Sequence, residues 1–281
     1  MFPKMLPEAT ITPFPRERDL YVEMLTMASK MHHIHGALSF DITTARAKLK
    51  EHGRRSSTSY SLNNYVVACV ARAVADYPLV HAYRWGRRKL VLFDDVDVTC
   101  VLDREVRSVR LPVVHIVRGA NRKSLHQVES EIAAAQAADF GSTAAQKEQL
   151  LFLDLPSFVR RPIWWAIRHV PYVRKRAIGT VSVSALGVLI PKSGLHGFPL
   201  SPMTLAVTIG SVDTQHTTEN GKALKREYLN ITLTFDHDIV DGAPAAEFAR
   251  RLKKLVESGS LIPATLPADD ALPPQPVASV P

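Results

Sequence analysis

The chain has 281 residues, 46% of them hydrophobic and 22% charged, with a formal net charge of +8. That is ordinary globular composition for one large domain or two small ones, and no run of about 18 apolar residues is present to span a membrane as a helix. The positive charge suits nucleic acid, a membrane surface or an anionic small molecule, but no zinc finger, RNA-recognition motif or basic helix-turn-helix occurs, so nucleic acid is not an expected partner.

Residues 1–17 are proline-rich and read as an extended arm; MFPKMLPEAT lacks the apolar core of a secretory signal. RDLYVEMLTMASKM reads as a helix and GALSFDIT as a strand. Between them KMHHIHG carries His32, His33 and His35. A strand would bring His33 and His35 to one face, but with no cysteine or carboxylate alongside a metal is not expected. TTARAKLKEH is a short polar-faced helix and GRRSSTS a loop. SLNNYVVACVARAVADYP is a well-marked helix: Ser61 is placed to cap it, Val66, Val67, Val70, Ala71 and Val74 form its stripe, and Pro78 lies past its end.

KLVLFDDVDVTCVLD and SVRLPVVHIV are strand-like, and SLHQVESEIAAAQAA opens with a capping box from Ser124 to Gln127. Cys69 and Cys100 lie in apolar stretches with no CxxC pair, which predicts two buried, reduced thiols and a cytoplasmic protein. GTVSVSALGVLI, MTLAVTIGSV and REYLNITLTFDH are strands, with an Asn-Gly turn in TTENGKAL. A closing helix over Ala243–Ser258 buries Ala245, Phe248, Leu252, Leu255 and Val256. The last 22 residues hold six prolines and read as a tail. The expected division is an arm over 1–17, a single domain over 18–259 and a tail over 260–281.

The segment LPSFVRRPIWWAIRHVPYVRKRAIG stands apart. From Phe158 to Thr180 it holds six Lys/Arg, no acid, and Trp164 and Trp165. The pattern predicts a helix, or two short ones broken at Pro162 and Pro171, with Ile163, Trp164, Ile167 and Val170 along one side and arginines 160, 161, 168 and 174 framing it. Three readings stay open: a surface excursion with its tryptophans packed on the body, a cover over an apolar channel, or a peripheral membrane contact.

ITLTFDHDIVDG ends the last strand. Ile231, Leu233, Phe235, His237 and Ile239 alternate with Thr232, Thr234, Asp236 and Asp238, so His237 falls in register with the apolar face. Asp236 and Asp238 point to the other face. Asp241, past the turn that Gly242 permits, is the better partner to orient the ring and leave one nitrogen as a general base. A core histidine satisfied by a backbone carbonyl is the competing reading.

FDHDIVDGAPAAEFARRLKKLVE resembles the closing signature S-F-D-H-R-x-x-D-G-A-x-A-A-x-F of the acyltransferase (E2) catalytic domain of 2-oxo acid dehydrogenase complexes; chloramphenicol acetyltransferase shares the fold and the H-x-x-x-D-G core. SLNNYVVACVARAVADYPLVHAYRWG, RLPVVHIVRGANRKSLHQVESEI and GTVSVSALGVL are similar to three further family segments, in the family's order, over roughly residues 18–258. The resemblance implies a mixed α/β acyltransferase fold that forms trimers. It also implies His237 as the general base, Asp241 holding the site's geometry through an N-terminal arginine such as Arg18, and Ser184 as the oxyanion donor facing a neighbouring subunit's histidine.

Three departures accompany it: Asp238 replaces the family's arginine after the histidine, GFPLSPMTLAV replaces a T-P-x-x-N-P-P loop, and about 17 residues precede the first helix. The last implies no lipoyl attachment in this chain. The expectation is therefore a free-standing acyltransferase with coenzyme A as acyl-CoA substrate, its acceptor unspecified, assembling with itself in threes and drawing on acyl-CoA or a separate lipoyl or acyl carrier. The alternative is a catalytically weak oligomeric scaffold.

Overall fold

The computed structural model of the chain describes residues 10–55, 59–106, 109–138, 141, 144–187, 190–219 and 222–264. Most of the expected tail, half of the expected arm, part of the GRRSSTS loop and the Asn-Gly turn lie outside the described residues. In chain order the elements are α1 (Asp19–Ala28), β1 (His33–Asp41), α2 (Thr43–Arg55), α3 (Leu62–Asp76), β2 (Tyr83–Trp85), β3 (Lys89–Val91), β4 (Val98–Val106) and β5 (Val109–Val117). There follow α4 (Leu125–Ala137), α5 (Ala144–Asp154), α6 (Ser157–His169), α7 (Pro171–Ile178), β6 (Val181–Ala185), β7 (Leu205–Glu219), β8 (Lys222–Asp236) and α8 (Gly242–Ser258).

Six strands make one mixed sheet in the order β1-β8-β7-β6-β4-β5. β6 runs parallel to β4 and β7, and every other neighbouring pair is antiparallel. Because side chains alternate along each strand, Val98, Cys100, Val181, Val183, Leu205, Val207, Ile209, Ile231, Leu233 and Phe235 all reach one face, where α3, α4 and α8 cover them. Each such side chain contributes about 1.5–3 kcal/mol by leaving water. The five residues expected on the buried face of α8 are all buried, with Phe248 edge-on to Phe235 and Tyr77 at 5.9 and 6.4 Å. Both cysteines are free and buried, and burial pushes each thiol up to about 12.

The local signals hold unevenly. The Ser124–Gln127 capping box forms in both directions. Ser61 takes the extended cap position before α3 but makes no side-chain capping bond; its N–H donates to Glu129 instead, at 3.0 Å. The apolar run KLVLFDDVDVTCVLD splits, its first part pairing with β2 as a hairpin and its second forming β4. Strand β6 stops at Ala185, because the backbone at Gly187 closes onto Gly210, where an added Cβ would sit 1.8 Å from the carbonyl oxygen. Pro162 does not break α6. The break comes at Val170 (φ −114°, ψ 103°), ahead of Pro171.

Candidate active site

The second face of the sheet is lined with hydroxyls. Strand register sets Ser184 beside Thr208 and Thr208 beside Thr232. Ser184 Oγ donates to Thr208 Oγ1 at 3.5 Å, and Thr232 Oγ1 lies 3.4 Å from His196 Nδ1. One step along, Thr234 Oγ1 meets His35 Nδ1 at 2.9 Å. Thr208, Thr232 and Thr234 are buried, so the threonine face of β8 is not a solvent face. The segment 194–204 lies over it: Gly197 approaches Thr208 so closely that an added Cβ would fall 2.9 Å from the threonine methyl. Hydroxyls held under cover, with one serine only half-buried, form a polar strip from which water is largely excluded. There a hydrogen bond to developing negative charge is stronger than in bulk solvent.

His33 and His35 do share a face of β1, with ring centroids 6.2 Å apart. His33 Nε2 donates to the Ser201 carbonyl at 2.9 Å, while His35 engages Thr234 and packs edge-on against Phe198 at 5.5 Å.

His237 departs from its expected place. The strand ends at Asp236, and His237 opens an exposed turn over 237–239 rather than closing the apolar stripe. The turn is built from Asp236: its carbonyl accepts the N–H groups of Ile239 (3.1 Å) and Val240 (3.0 Å), and its carboxylate accepts that of Asp238 (3.2 Å). The His237 N–H donates to the His32 carbonyl at 2.7 Å. These bonds fix the backbone and leave the imidazole on the surface of the chain. Burial raises the Asp236 carboxyl above the usual carboxylate range.

Beneath the turn lies Arg174, from α7. Its guanidinium stacks on Tyr83 at 4.1 Å, donates to the Pro202 carbonyl and supplies positive charge to Asp236. Its burial lowers its pKa below the ordinary arginine value. Asp238, standing where the resembling family has arginine, is answered by His32 Nδ1 at 2.8 Å and Arg84 Nη1 at 3.6 Å. The carboxylate raises the His32 pKa, chiefly by the hydrogen bond.

The expected catalytic residues do not meet within one chain. Ser184 is level with Thr232, and His237 lies five residues on, just past the end of β8, and two strands across. At about 3.3 Å per residue and 4.8 Å per strand the separation is roughly 19 Å. Asp241 is the N-cap of α8; its carbonyl accepts the Ala245 N–H at 3.1 Å, and its exposed side chain makes no capping bond. Among the described residues no hydrogen bond or ion pair joins Asp241 to His237 or to Arg18, which sits exposed just ahead of α1.

The basic Trp-bearing segment also differs from its expected form. Arg160 does not frame an apolar side; it is buried. Its guanidinium clasps Glu23 of α1 through Nε (3.0 Å) and Nη2 (2.9 Å) and caps the Leu153 and Leu155 carbonyls. Trp164 is half-buried, with Nε1 donating to Glu23 at 2.7 Å and its ring against Phe152. Trp165 faces outward, stacked on His169 at 4.8 Å. Thr208, Thr232, His196 and Arg174 are the site residues that sequence reasoning missed. The threonines carried a signal in their alternation; Arg174, more than sixty residues from Asp236, carried none.

The 2-oxoacid dehydrogenases acyltransferase (catalytic domain) family matches the chain over residues 7–150 and 178–263. The chain is 23% identical, over 76% of its length, to the dihydrolipoyllysine-residue acetyltransferase component of the pyruvate dehydrogenase complex of Rickettsia bellii, of which the match covers 43%. It thus spans less than half the length of such relatives. The dihydrolipoamide acetyltransferase of Azotobacter vinelandii, whose serine, histidine and asparagine have been probed for roles in catalysis, shares the fold at a TM-score of 0.65 and 18% identity, covering 93% of this chain and 99% of that one. The cubic core of a pyruvate dehydrogenase multienzyme complex aligns at 0.63 and 17%, covering 93% and 99%. The interval the family match leaves out, 151–177, takes in α6 and nearly all of α7.

Proposed function

The chain belongs to the 2-oxoacid dehydrogenase acyltransferase family, and from that premise we propose that it moves an acyl group between coenzyme A and an acceptor thiol, amine or hydroxyl, at a site completed by a second copy of itself. The observation that carries this reading is the placement of the two chemical halves. An exposed histidine on a backbone-locked turn and a serine on a covered hydroxyl strip lie roughly 19 Å apart on one chain, too far to act on one carbonyl but suited to face each other across a subunit boundary.

In this reading an unprotonated ring nitrogen of His237 takes the proton of the attacking acceptor as it adds to the thioester carbonyl. The carbonyl oxygen becomes the oxyanion, and the Ser184 hydroxyl, oriented by Thr208, donates to it. Such a donor is worth roughly 2–4 kcal/mol in the transition state. The tetrahedral intermediate collapses by breaking the carbon–sulfur bond, and the leaving CoA thiolate recovers the proton from His237. Asp241, beyond the turn, holds the geometry of the site once the neighbouring chain is in place. The fold shared with a cubic core and a subunit-shared site both favour assembly in threes.

Turnover of a panel of acyl-CoAs of increasing chain length, followed by release of the free CoA thiol with thiol, amine and hydroxyl acceptors, tests the reading. Acyl transfer that disappears in His237→Ala is expected. No transfer with any pair, or undiminished transfer in the variant, overturns it.

A further inference from the structure

Helix α6 is amphipathic in the reverse sense. Its inward side carries the buried Arg160 with Ile167 and Trp164, the charge satisfied by Glu23. Its outward side carries aromatics. At roughly 100° per residue, Phe158, Pro162, Trp165 and His169 fall within about 60° of one another, with Arg161 and Arg168 along one edge. Phe158 is 71% and Trp165 62% exposed, and all six residues face solvent in the single chain. A helix that buries its guanidinium and exposes its indole is arranged for an apolar partner on the outside.

The charge around this face narrows the choice of partner. From Leu155 to Val212 the sequence contains no Asp or Glu and seven Lys/Arg. Arg161 and Arg168 have no ion-pair partner among the described residues. Aromatic rings flanked by unpaired arginines match an anionic lipid surface, where the rings enter the headgroup boundary and the guanidinium groups meet lipid phosphates and carboxylates. No helix among the described residues is long and apolar enough to cross a membrane, so the contact is made from one side. The family match stops at 150 and resumes at 178, so it does not include α6.

We propose that the outward face of α6, formed by Phe158, Arg161, Trp165 and Arg168, docks the protein on anionic membranes. Tyr172, at the start of α7, packs edge-on against Trp85 at 6.4 Å, and the neighbouring Arg84 reaches Asp238. On the docking face itself, Arg168 acts electrostatically on Arg174, beneath the turn that carries His237. Docking stands apart from the acyl-transfer chemistry, and a water-soluble acyl-CoA is turned over equally with the face intact or removed.

Flotation of the full chain with vesicles tests it, using phosphatidylcholine alone and phosphatidylcholine with about one-third phosphatidylserine. Binding to the anionic vesicles only, weakening as salt rises, is expected. Phe158→Ser with Trp165→Ser, and separately Arg161→Glu with Arg168→Glu, should each lower the partition coefficient at least about tenfold. All four side chains are exposed, so thermal unfolding should stay near that of the parent protein. Absence of vesicle binding by the parent, or binding by either variant equal to the parent's, overturns the proposal. So does a fall in oligomer size in the Phe158→Ser/Trp165→Ser variant with vesicle binding retained, because the face would then join copies of the chain.

Discussion

Mixing two inactive proteins should restore activity. His237→Ala removes the proposed base and should cost roughly 10²–10⁴-fold in turnover; Ser184→Ala removes the proposed oxyanion donor and should cost roughly 10²–10³-fold. Register places the two positions roughly 19 Å apart on one chain, whereas a base and an oxyanion donor must both lie within hydrogen-bond reach of groups on the same tetrahedral carbon. On that geometry the proposed site takes its histidine from one subunit and its serine from another. In a mixture of equal parts, dissociated and reassembled, half of the subunits bring an intact histidine and half an intact serine. About a quarter of the head-to-tail interfaces then unite both. Recovery of about a quarter of parental turnover is expected, from starting proteins that each retain about 1% or less. The assay is CoA release before and after mixing, with differently tagged subunits proving co-assembly. Mixed assemblies that stay as inactive as their parents would refute the reasoning, as would a fully active monomer.

Three further tests bear on the fold around the site. Because Asp238 raises the His32 pKa, an NMR titration should place this imidazole above its ordinary value of about 6.5 and Asp238→Asn should return it there. A raised folded value means that the ion pair's contribution is complete below the unfolded pKa and is lost as pH rises through the folded one; an unchanged titration in Asp238→Asn removes the pairing. Glu23→Ala leaves the buried Arg160 guanidinium two carbonyls and the more distant Asp19 carboxylate, 4.0 Å away. Urea unfolding should show a loss of about 3 kcal/mol, the low end for a broken buried pair because Glu23 is partly exposed; a loss below about 1 kcal/mol would show that water replaces it. Gly210→Ala sets a methyl 1.9 Å from the Leu195 carbonyl oxygen, a backbone clash that should cost about 3 kcal/mol or more in thermal unfolding. A variant as stable as the parent would mean the 194–204 cover is loosely held.

Local chemistry was legible wherever a signal completes itself within a few residues. The buried face of α8 follows from helical spacing, and the box at Ser124 needs only Gln127. The alternation of Ile231, Leu233 and Phe235 against Thr232 and Thr234 showed a two-faced strand. It could not show that the threonine face is covered too, because the cover comes from residues 194–204. His237 continued the same alternation on paper. In the structure the strand ends one residue earlier, since Asp236 turns its backbone and carboxylate to the N–H groups that follow.

Family membership, the histidine signature and the buried faces of the helices and strands were therefore written in the sequence, because each rests on short spacings that survive without knowledge of what packs above them. Tertiary structure decided the rest. It put Arg174 from α7 beneath the His237 turn and sent Arg160 inward to Glu23, leaving Trp165 outside. It also separated the serine from the histidine on a single chain. The physical reason is common to all four. A guanidinium, an indole or a hydroxyl takes its role from the charge, carbonyl or cover that meets it, and here those partners lie tens to hundreds of residues away.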